Sequence, residues 1–576
     1  MMENFRQALV AGVERLTAWA DILDRINVFP IADGDTGRNL VISLAPLRKR
    51  DRDIQLLSRD LLLSARGNSG NIASWFFQYF IQATSWENLP EAVRQGRDRA
   101  WQAVPDPKPG TMLSFFDALA TVLSDPHTLS DIDRMTGILA HLEAVVRATT
   151  EQQPKLSKAG VVDAGALGLF LYFEGFFHVL TDGQMPVCEV ADTFHDRLHV
   201  SPCYREDLEE GYCVDTVLQS DADTKETAQM LASLGNSIVI TRKDAYLKVH
   251  FHTRNREDAR QKLLHLGRVV DWAEDDLYAQ TSAFGASGRE PVVHIMTDAA
   301  GSVTRQEAKS LGISLLDSYI TVGDHCLPET YFSPDELYGA MRAGERVTTS
   351  QASVFERHQI YASVMSRYRQ VLYMCVGSAF TGNFGVAMDW KREHDPEDRF
   401  AVIDTGAASG RLGVLALATA AYAFEAGESG DVMAFARKAV ARCEEYVFLD
   451  RLEYLAAGGR LSKTGAFFGD MLRMKPIVSP MAEGARKVGV VRNRDEQVRF
   501  ALMVLGRSLR EGEQAFIMLE YSDNKSWVEE VKSELAKRYA EARIIVHPLS
   551  LTSGAHMGPG TWAVAFLPDM KCTQLG

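Results

Sequence analysis

Cysteine is scarce in this sequence, and long hydrophobic runs are missing. Seven cysteines are scattered through 576 residues, an odd number without dense spacing, which excludes a disulfide framework and indicates reduced thiols. The longest nearly apolar run, Val414 to Phe424, has about half the length that a membrane span needs, so we interpret it as a buried helix. The N-terminus carries charges from the start and lacks an apolar core followed by a cleavage site, unlike a signal peptide. We therefore expect a cytoplasmic protein.

Positive charge is also in deficit. The chain has 62 Lys and Arg against 76 Asp and Glu, a formal net charge of -14. A general nucleic-acid binder presents a basic face to the phosphate backbone, so we expect no nucleic-acid partner. The balance does not exclude an ATP site, because a metal ion supplies the positive charge there.

The pattern of hydrophobic residues divides the chain into three predicted domains. Residues 1–185 read as mostly helical, and Asn4 to Ile26 is predicted as one long helix. Residues 195–285 alternate short β-branched runs with helical stretches, which indicates a small α/β domain. In residues 290–576 strand-like runs alternate with helices throughout, and this favours an α/β domain built on parallel sheet.

Two carboxylates flank a tight turn in the first domain. The segment Asn27–Leu40 reads NVFPIADGDTGRNL, with Asp33 and Asp35 on either side of Gly34. Paired carboxylate oxygens on a glycine-rich turn suit Mg²⁺, and glycine lets backbone N–H groups approach a phosphate. The alternative is a turn before a helix, in which Thr36 or Asp35 is the N-cap.

Further loops of the first domain have the make-up of a phosphate cradle. Ser64–Asn71 reads SARGNSGN, rich in small and hydroxyl residues, although it is not a Walker A loop. Gly110-Thr111-Met112 and Asp163-Ala164-Gly165 each open a predicted helix. Any one of these loops alone could be an ordinary helix junction.

In this order and at these separations, the four segments resemble the DhaL-type kinase domain of dihydroxyacetone kinases and bacterial fatty acid kinases. The resemblance implies an all-α, eight-helix barrel that binds ATP and Mg²⁺ at one end. NVFP followed by DGDTG is closest to the fatty acid kinase version. The positions that the resemblance assigns are Asp33 and Asp35 for Mg²⁺ and catalysis, Asn27 as a third Mg²⁺ ligand, Asn39, Asn68 and Ser69 for phosphate, Thr111 and Met112 for adenine or ribose, and Asp163 with Gly165 at the nucleotide mouth.

A pair of histidines shares one face of a predicted strand in the second domain. In Tyr246–Thr253, YLKVHFHT, a period of two places Lys248, His250 and His252 on the same face. Two imidazoles at this spacing suit one tetrahedral metal, and Cys213 is the best candidate for a third ligand, a set that favours zinc. The alternative is an exposed polar strand face. The middle domain of fatty acid kinases is similar in its Tyr-Cys segment and its K-V-H-x-H-T strand, and this resemblance implies that the three residues bind Zn²⁺.

Three hydroxyl-rich turns follow predicted strands in the third domain. They lie at Thr348–Ser353, at Gly377–Gly382 and at Leu551–Gly560. Ligands of open α/β sheets bind near the carboxyl ends of strands, so the turns could share one site for a carboxylate. Ordinary helix capping is the alternative for each turn.

Together these turns, with RLEYLAAGGRLS, are similar to the DegV family of two-lobed fatty-acid-binding proteins from about Val292 to Leu567. The resemblance implies that an acyl chain lies in an apolar tunnel between the lobes. It places the fatty acid carboxylate at Thr349 and Ser378, with Thr381 as an alternative, and it places Arg460 and His556 beside the head group. The family's usual Thr-Asp-Ser start is here Thr297-Asp298-Ala299, which leaves carboxylate binding intact on paper.

The combined resemblance implies a fatty acid kinase that carries its own fatty-acid-binding domain and makes acyl phosphate from ATP. A dihydroxyacetone-type kinase, a non-catalytic lipid-binding regulator with a nucleotide-sensing domain, and a merely structural C-terminal half remain alternatives. As partners we expect a fatty acid and a second copy of the chain. The activity is compatible with peripheral membrane contact and with an acyltransferase that accepts the product.

Overall fold

The computed structural model describes residues 2–49, 51–124, 132–205, 210–283, 291–451, 453–454, 474–510 and 512–568. The chain divides into two compact units, Met1–Ser287 and Gly288–Gly576, called here the N-terminal and the C-terminal unit. In the part of the chain that is described, no helix combines the length and the apolar character needed to cross a membrane.

The N-terminal unit begins with a helical region and ends with a small mixed region. Its helices are α1 (Met2–Thr17), α2 (Ala20–Arg25), α3 (Thr36–Leu44), α4 (Ile54–Ser64), α5 (Gly67–Phe80), α6 (Leu89–Gln102), α7 (Met112–Val122), α8 (Ile132–Gln152), α9 (Pro154–Ala159), α10 (Ala164–Leu180), α11 (Val190–Thr193), α12 (Thr224–Ala232), α13 (Arg256–Leu266) and α14 (Leu277–Ala283). Its strands are β1 (Tyr212–Gln219), β2 (Gly235–Lys243), β3 (Tyr246–Thr253) and β4 (Arg268–Asp276).

Helix α10 forms the centre of the helical region because it is apolar on nearly all sides. Aromatic side chains from α5, α7 and α10 pack together there, and the rings of Phe76 and Phe116 stack 4.1 Å apart. Among the residues described, one buried ion pair links α1 to α10. Arg15 Nη2 lies 2.8 Å from Glu174 Oε2. The predicted single helix from Asn4 to Ile26 is wrong, since α1 ends at Thr17 and α2 begins at Ala20.

The four strands of the N-terminal unit form one antiparallel sheet in the order β2-β3-β1-β4. One face of this sheet packs against α12 and α13 and supplies Leu247, Val249 and Phe251 to a hydrophobic core. The alternating side chains of β3 therefore point to opposite faces, as the period of two predicted. The second face, which carries polar residues, is called here the polar face of the sheet.

The C-terminal unit is an α/β structure with three sheets. Its helices are α15 (Arg305–Leu311), α16 (Pro334–Ala343), α17 (Val354–Met365), α18 (Asn383–His394), α19 (Ser409–Glu425), α20 (Ser429–Arg442), α21 (Arg494–Ser508), α22 (Lys525–Arg538) and α23 (Leu551–Met557). Its strands are β5 (His294–Asp298), β6 (Ile313–Leu316), β7 (Ser318–Val322), β8 (His325–Pro328), β9 (Val347–Gln351), β10 (Val371–Cys375), β11 (Phe400–Asp404), β12 (Glu444–Phe448), β13 (Lys475–Met481), β14 (Gly484–Val491), β15 (Ala515–Tyr521), β16 (Arg543–Pro548) and β17 (Trp562–Pro568).

Parallel pairing dominates only one of the three sheets. The sheet β11-β10-β5-β6 is parallel throughout. The sheet β14-β13-β12-β17-β15-β16 is antiparallel except for the pair β15 and β16, and β8-β7-β9 is antiparallel. The expectation of parallel sheet therefore holds for one sheet and one further strand pair, because the meander from β12 to β14 needs no crossover helix.

Helix α19 lies between the parallel and the six-stranded sheets. Its apolar residues join Leu372 and Met374 of one sheet with Met518 and Ala565 of the other in a single core. The opposite face of the six-stranded sheet packs against α21 and α22. The run predicted as a buried helix, Val414 to Phe424, belongs to α19.

Two of the three predicted turns in this unit are regular elements. Residues 347–351 form strand β9, so Thr349 lies within a strand. Residues 551–557 form helix α23, with Ser550 as its N-cap, so His556 lies on a helix. Serine and threonine fit both positions, since they cap helices and also populate strands, and the sequence pattern does not separate these uses.

A buried glutamate holds the start of α23. The carboxylate of Glu329 accepts a hydrogen bond from the Thr552 backbone N–H at 3.0 Å. Burial, with a smaller contribution from Asp317, raises the pKa of Glu329 from 4.5 to about 8. The folded chain therefore keeps a proton on Glu329 across a pH range in which the unfolded chain has lost it.

This proton makes the stability of the C-terminal unit depend on pH. Between pH 4.5 and about 8 the folded state binds more protons at Glu329 than the unfolded state, so the free energy of unfolding falls as pH rises, by at most about 1.4 kcal/mol per pH unit from this group. The Glu329→Gln variant lacks this contribution. Its free energy of unfolding should therefore fall less steeply with rising pH than that of the wild type. Hydrogen exchange of peptides from the C-terminal unit, measured in urea at several pH values, tests this. Parallel pH curves for the two proteins would contradict it.

Candidate functional site

The loop between α2 and α3 carries Asp33 and Asp35 and is called here the aspartate loop. A residue outside the sequence motif holds it in place. Asp24 accepts hydrogen bonds from the backbone N–H groups of Gly37 at 2.7 Å and Arg38 at 3.1 Å, so it caps α3. Asp35 occupies the N-cap position but its side chain makes no capping bond. The capping interpretation therefore does not account for the Asp35 carboxylate.

Asn27 and Thr36 brace the aspartate loop. The Asn27 side-chain N–H donates to Asp33 Oδ1 at 2.5 Å and to the carbonyl of Ile31 at 3.0 Å. The Thr36 hydroxyl donates to Asn27 Oδ1. In this arrangement Asn27 orients Asp33 through its amide, and its role as a third Mg²⁺ ligand stays a prediction.

The two aspartates concentrate negative charge at the surface of the helical region. Burial raises the pKa of Asp33 well above its ordinary value, and the neighbouring Asp35 carboxylate raises it further. Burial also raises the pKa of Asp35, against the opposing effect of Arg38. Two close carboxylates that disfavour each other's charge offer only oxygen donors, the ligands that Mg²⁺ prefers. The residues present therefore fit a magnesium ion.

The phosphate-cradle motif is the first turn of α5, and it adjoins the aspartate loop. The Thr36 and Ser69 hydroxyl oxygens lie 3.3 Å apart. Gly67 begins the helix with a φ of 61°, and a Cβ there would lie 2.0 Å from Asn39 Nδ2, so only glycine fits. Asn68 and Ser69 are half-buried on the outer side of this turn. The structure thus brings Asn39 and Ser69 together with the aspartates.

The two remaining loops of the kinase-like motif also meet. A Cβ on Gly165 would lie 3.3 Å from Met112 Sδ. Thr111 caps α7 and Asp163 caps α10 with a 2.8 Å hydrogen bond from Ala166 N–H, so both serve as helix caps. Burial raises the pKa of Asp163 to about 6. Their nucleotide contacts stay predictions.

Lys155 on α9 links the aspartate loop to the chain segment between these two loops. Its Nζ donates a hydrogen bond to the carbonyl of Pro30 at 2.8 Å. In addition, a Cβ on Gly168 of α10 would lie 2.6 Å from Leu40 of α3. All four segments of the motif therefore belong to one end of the helical region.

Cys213, His250 and His252 meet on the polar face of the sheet. The register pairs Cys213 with His252 across β1 and β3, and one ligand atom from each of the three residues lies within 4.8 Å of the others. All three side chains are buried, so the alternative of an exposed strand face is wrong. His250 Nε2 and His252 Nδ1 are buried without a hydrogen-bond partner among the described residues. Orphaned imidazole nitrogens around one point fit a metal ion.

Nearby carboxylates make a cation at this point electrostatically favourable. Burial raises the pKa of Cys213 well above its ordinary value, and the charges of Asp215, Asp35 and Asp33 raise it further. A thiolate there therefore needs a positive partner. The same shift shows that the aspartate loop and the cysteine belong to one electrostatic environment.

The polar face of the sheet is buried against the start of α5. Asp215 accepts hydrogen bonds from Gly67 N–H at 2.8 Å and from the Asn71 side chain at 2.9 Å. At the rim, β4 supplies Asp271 and Asp275, which lie 3.5 Å from Arg66 and 3.8 Å from Arg38. Gln280 on α14 donates to Asp35 Oδ2 at 3.5 Å. The sheet therefore completes the wall of the site that the aspartate loop begins.

Sequence reasoning missed the residues that join the two parts of this site. Asp24, Asn71 and Asp215, for which no role was predicted, are buried or half-buried and act over long sequence separations. A usable signal existed for Asp215 alone, since a residue two positions from Cys213 on a strand faces the same way.

In the C-terminal unit the structure pairs two of the predicted carboxylate-binding residues. Thr349 Oγ1 on β9 and His556 Nε2 on α23 lie 3.0 Å apart, although they are 207 positions apart in the sequence. Both are half-buried. A hydroxyl and an imidazole at this distance can together donate hydrogen bonds to one carboxylate oxygen pair.

The turn that carries Ser378 and Thr381 lies next to β9. Arg357 Nη1 donates to Gln351 Oε1 at the end of β9 at 3.3 Å and to Asn383 Oδ1 at the start of α18 at 2.8 Å. Ser378 is exposed, and the Thr381 hydroxyl accepts from Asn383 N–H at 3.4 Å. Their contact with a ligand stays a prediction, and Arg460 lies outside the described residues.

A buried acid shapes this turn. Asp298 accepts hydrogen bonds from Val376 N–H at 2.6 Å, Tyr373 Oη at 2.8 Å and Asn383 Nδ2 at 2.7 Å. Burial raises the pKa of Asp298 to about 6, although these donors oppose the rise. Asp298 therefore holds the start and the end of the turn in one place.

Three family models match successive regions of the chain. Residues 30–178 match the DAK2 domain, residues 209–284 match the FakA-like middle domain of fatty acid kinases, and residues 292–569 match the uncharacterised DegV protein family. The three matches follow the order of the helical region, the small mixed region and the C-terminal unit.

Curated relatives share part of the chain. Protein YloV of Bacillus subtilis (strain 168) is 29% identical over 354 residues, which cover 54% of this chain and 64% of the relative. An uncharacterized protein of Staphylococcus aureus (strain USA300) is 30% identical over 277 residues, which cover 43% of this chain and 50% of the relative. The chain thus spans 64% of the length of the first relative and 50% of the length of the second.

Solved structures resemble the C-terminal half of the chain. A DegV family protein from Thermus thermophilus, described by its fatty acid binding, is 21% identical and covers 48% of this chain and 99% of its own, with a TM-score of 0.45. DegV from Bacillus subtilis, described as a fatty acid binding protein, is 19% identical and covers 48% of this chain and 100% of its own, also with a TM-score of 0.45.

Proposed function

We propose that this chain, which joins a DAK2 domain, a FakA-like fatty acid kinase middle domain and a DegV-family domain, is a fatty acid kinase. It transfers the γ-phosphoryl group of ATP to a fatty acid carboxylate and forms acyl phosphate and ADP. One observation carries the proposal: a phosphate-cradle turn packed on paired aspartates occurs in the same chain as the Thr349 and His556 pair.

The N-terminal unit would bind the nucleotide. Asn39 and Ser69, which adjoin the aspartate loop, and Asn68 on the same turn as Ser69 would hold phosphate oxygens. Magnesium at Asp33 and Asp35 would neutralise charge on the phosphates when it is bound. Met112 and Gly165, at the same end of the helical region, would contact the adenosine part.

The C-terminal unit would hold the acceptor. Thr349 and His556 donate hydrogen bonds to the fatty acid carboxylate without neutralising its charge, so that one oxygen remains a nucleophile. Ser378, Thr381 and Arg460 are further proposed contacts of the head group. A carboxylate needs no base before it attacks phosphorus, because it carries no proton at neutral pH.

In the reaction a carboxylate oxygen attacks the γ-phosphorus in line. The new C–O–P bond forms while the bond between the γ-phosphorus and the oxygen that bridges it to the β-phosphate breaks, and ADP leaves with that electron pair. Alignment and charge neutralisation supply most of the catalysis in phosphoryl transfer. Having carrier and kinase in one chain raises the effective concentration of the acceptor to about millimolar when the linker lets the sites meet.

We also propose that the metal held by Cys213, His250 and His252 is zinc. A thiolate with two imidazoles favours zinc over the hard cations. When bound, zinc would supply a fixed positive charge beside the aspartate loop.

Two other functions have weaker support. A dihydroxyacetone-type kinase shares the DAK2 domain but gives no role to the Thr349 and His556 pair. A non-catalytic lipid-binding regulator would use Asp33 and Asp35 only to sense the nucleotide, and the intact pair of carboxylates favours catalysis over sensing.

The kinase proposal predicts acyl phosphate formation by the purified chain. Incubation with Mg·ATP and a fatty acid, followed by trapping with hydroxylamine, should give a hydroxamate. Asp35→Asn should lower the rate by about 100- to 1000-fold, because charge stabilisation at the phosphates is lost. Thr349→Val should raise KM for the fatty acid by about 10- to 100-fold with little change in KM for ATP.

Matched controls separate the alternatives. Asp98→Asn, a carboxylate change on the exposed side of α6, should leave the rate unchanged. Phosphorylation of dihydroxyacetone in place of the fatty acid would favour the runner-up kinase. Binding of both ligands without turnover at any chain length would favour the regulator.

The zinc proposal predicts about one zinc ion per chain after reconstitution and gel filtration. Metal analysis should show that Cys213→Ser loses this ion, since one of three protein ligands is removed. Cys203→Ser, which changes an exposed cysteine outside the cluster, should keep it. Zinc retained by the Cys213→Ser protein at full stoichiometry would contradict the assignment.

A further inference from the structure

Asp215 lies between the metal-binding cluster and the phosphate cradle. Its carboxylate contacts β3 on one side, where His250 Nδ1 lies 3.3 Å and Lys248 Nζ 3.7 Å away. On the other side it accepts the hydrogen bonds from Gly67 and Asn71. The buried Asp215 carboxylate therefore has partners on two elements.

On the α5 side, Asp215 fixes the inner half of the cradle turn. Its carboxylate accepts the hydrogen bond from the Gly67 N–H group, and the Asn71 side chain also donates to the Gly67 carbonyl at 2.7 Å. Gly67 approaches Asn39 so closely that the turn has little room to shift. Asn68 and Ser69, on the outer half of the same turn, are left for phosphate. A small movement of Asp215 would displace all of these groups together.

On the β3 side, the position of Asp215 depends on His250. Because Nδ1 faces Asp215, Nε2 is the nitrogen that remains for a metal, and a histidine that binds metal through one nitrogen carries its proton on the other. An N–H group on Nδ1 then donates to the carboxylate. Without a metal, the tautomer and the ring orientation of His250 are not fixed in this way.

We propose that Asp215 is a positioning residue that couples occupancy of the Cys213, His250 and His252 site to the placement of the cradle turn at Gly67 and Asn71. The inference rests on the proposed function for its consequence in catalysis, but the coupling itself concerns only the N-terminal unit. Lys248 Nζ, 3.7 Å from Asp215 Oδ1, is the nearby cationic group of β3 in the buried interface. Metal binding should thus order residues 64–71 and strengthen nucleotide binding.

Hydrogen exchange on the full-length chain tests the coupling without nucleotide. Addition of Zn²⁺ to the metal-depleted wild-type protein should slow exchange of peptides covering residues 64–71 by at least about 5-fold. In Asp215→Asn this slowing should be absent even at zinc concentrations that fill the site, as checked by metal analysis. Asp215→Glu should restore part of it, because the carboxylate is retained. Asp258→Asn, an exposed change on α13 on the opposite face of the sheet, is the control and should behave like the wild type.

Nucleotide binding gives the second measurement. The wild-type protein should bind Mg·ADP about 5- to 150-fold more tightly with zinc than without it, and Asp215→Asn should show one affinity in both states. Equal exchange and equal affinity with and without zinc in the wild type would overturn the inference, as would unchanged coupling in Asp215→Asn. If the coupling is found while no hydroxamate forms, the inference stands and the kinase proposal fails. If hydroxamate forms but the coupling is absent, the kinase proposal stands and the inference fails.

Discussion

Burial of the polar face of the middle sheet against the first turn of α5 is the constraint on which the N-terminal site depends. That contact takes Asp215, Lys248 and both histidines out of water, and it is favourable only because α5 offers the N–H groups of Gly67 and Asn71 in return. The same contact brings a soft ligand set beside the hard oxygens of Asp33 and Asp35. Without it the chain would have an exposed strand and a separate aspartate loop. With it, one site is built from two domains.

Under the proposed function, the C-terminal unit has a different task, which is to hold the carboxylate of a fatty acid by hydrogen bonds. Thr349 and His556 come from a strand and a helix that are distant in sequence, and buried acids fix the elements that carry them. Glu329 holds the start of α23, and Asp298 holds the turn before α18. Burial raises the pKa of Glu329 to about 8, so this acid is mostly protonated at neutral pH and adds little negative charge near the pair, whereas Asp298, whose pKa is raised to about 6, acts as the hydrogen-bond acceptor that holds the turn.

Local patterns predicted those parts of the fold and site that depend on neighbours in sequence. The alternation in Tyr246–Thr253 gave the correct facing of both histidines, and the glycine-rich segments marked the helix starts at α3 and α5. Long-range contacts escaped prediction. Nothing near Asp24 or Asp215 in the sequence reveals that one caps α3 and the other binds α5, because their partners are 13 and 148 positions away. Hydroxyl-rich segments were equally ambiguous, since strand β9 and helix α23 have the composition of turns.

The central claim is that one chain joins a fatty acid carboxylate to the phosphorus of ATP. Carbon-13 NMR of the full-length protein turning over a fatty acid labelled at its carboxyl carbon tests it directly. The account predicts that, only with Mg·ATP present, the carboxyl signal gives way to one split by coupling to phosphorus, since a C–O–P bond exists only in the acyl phosphate. A carboxyl signal that stays a single line at the free-acid position, whether or not ADP accumulates, would contradict it.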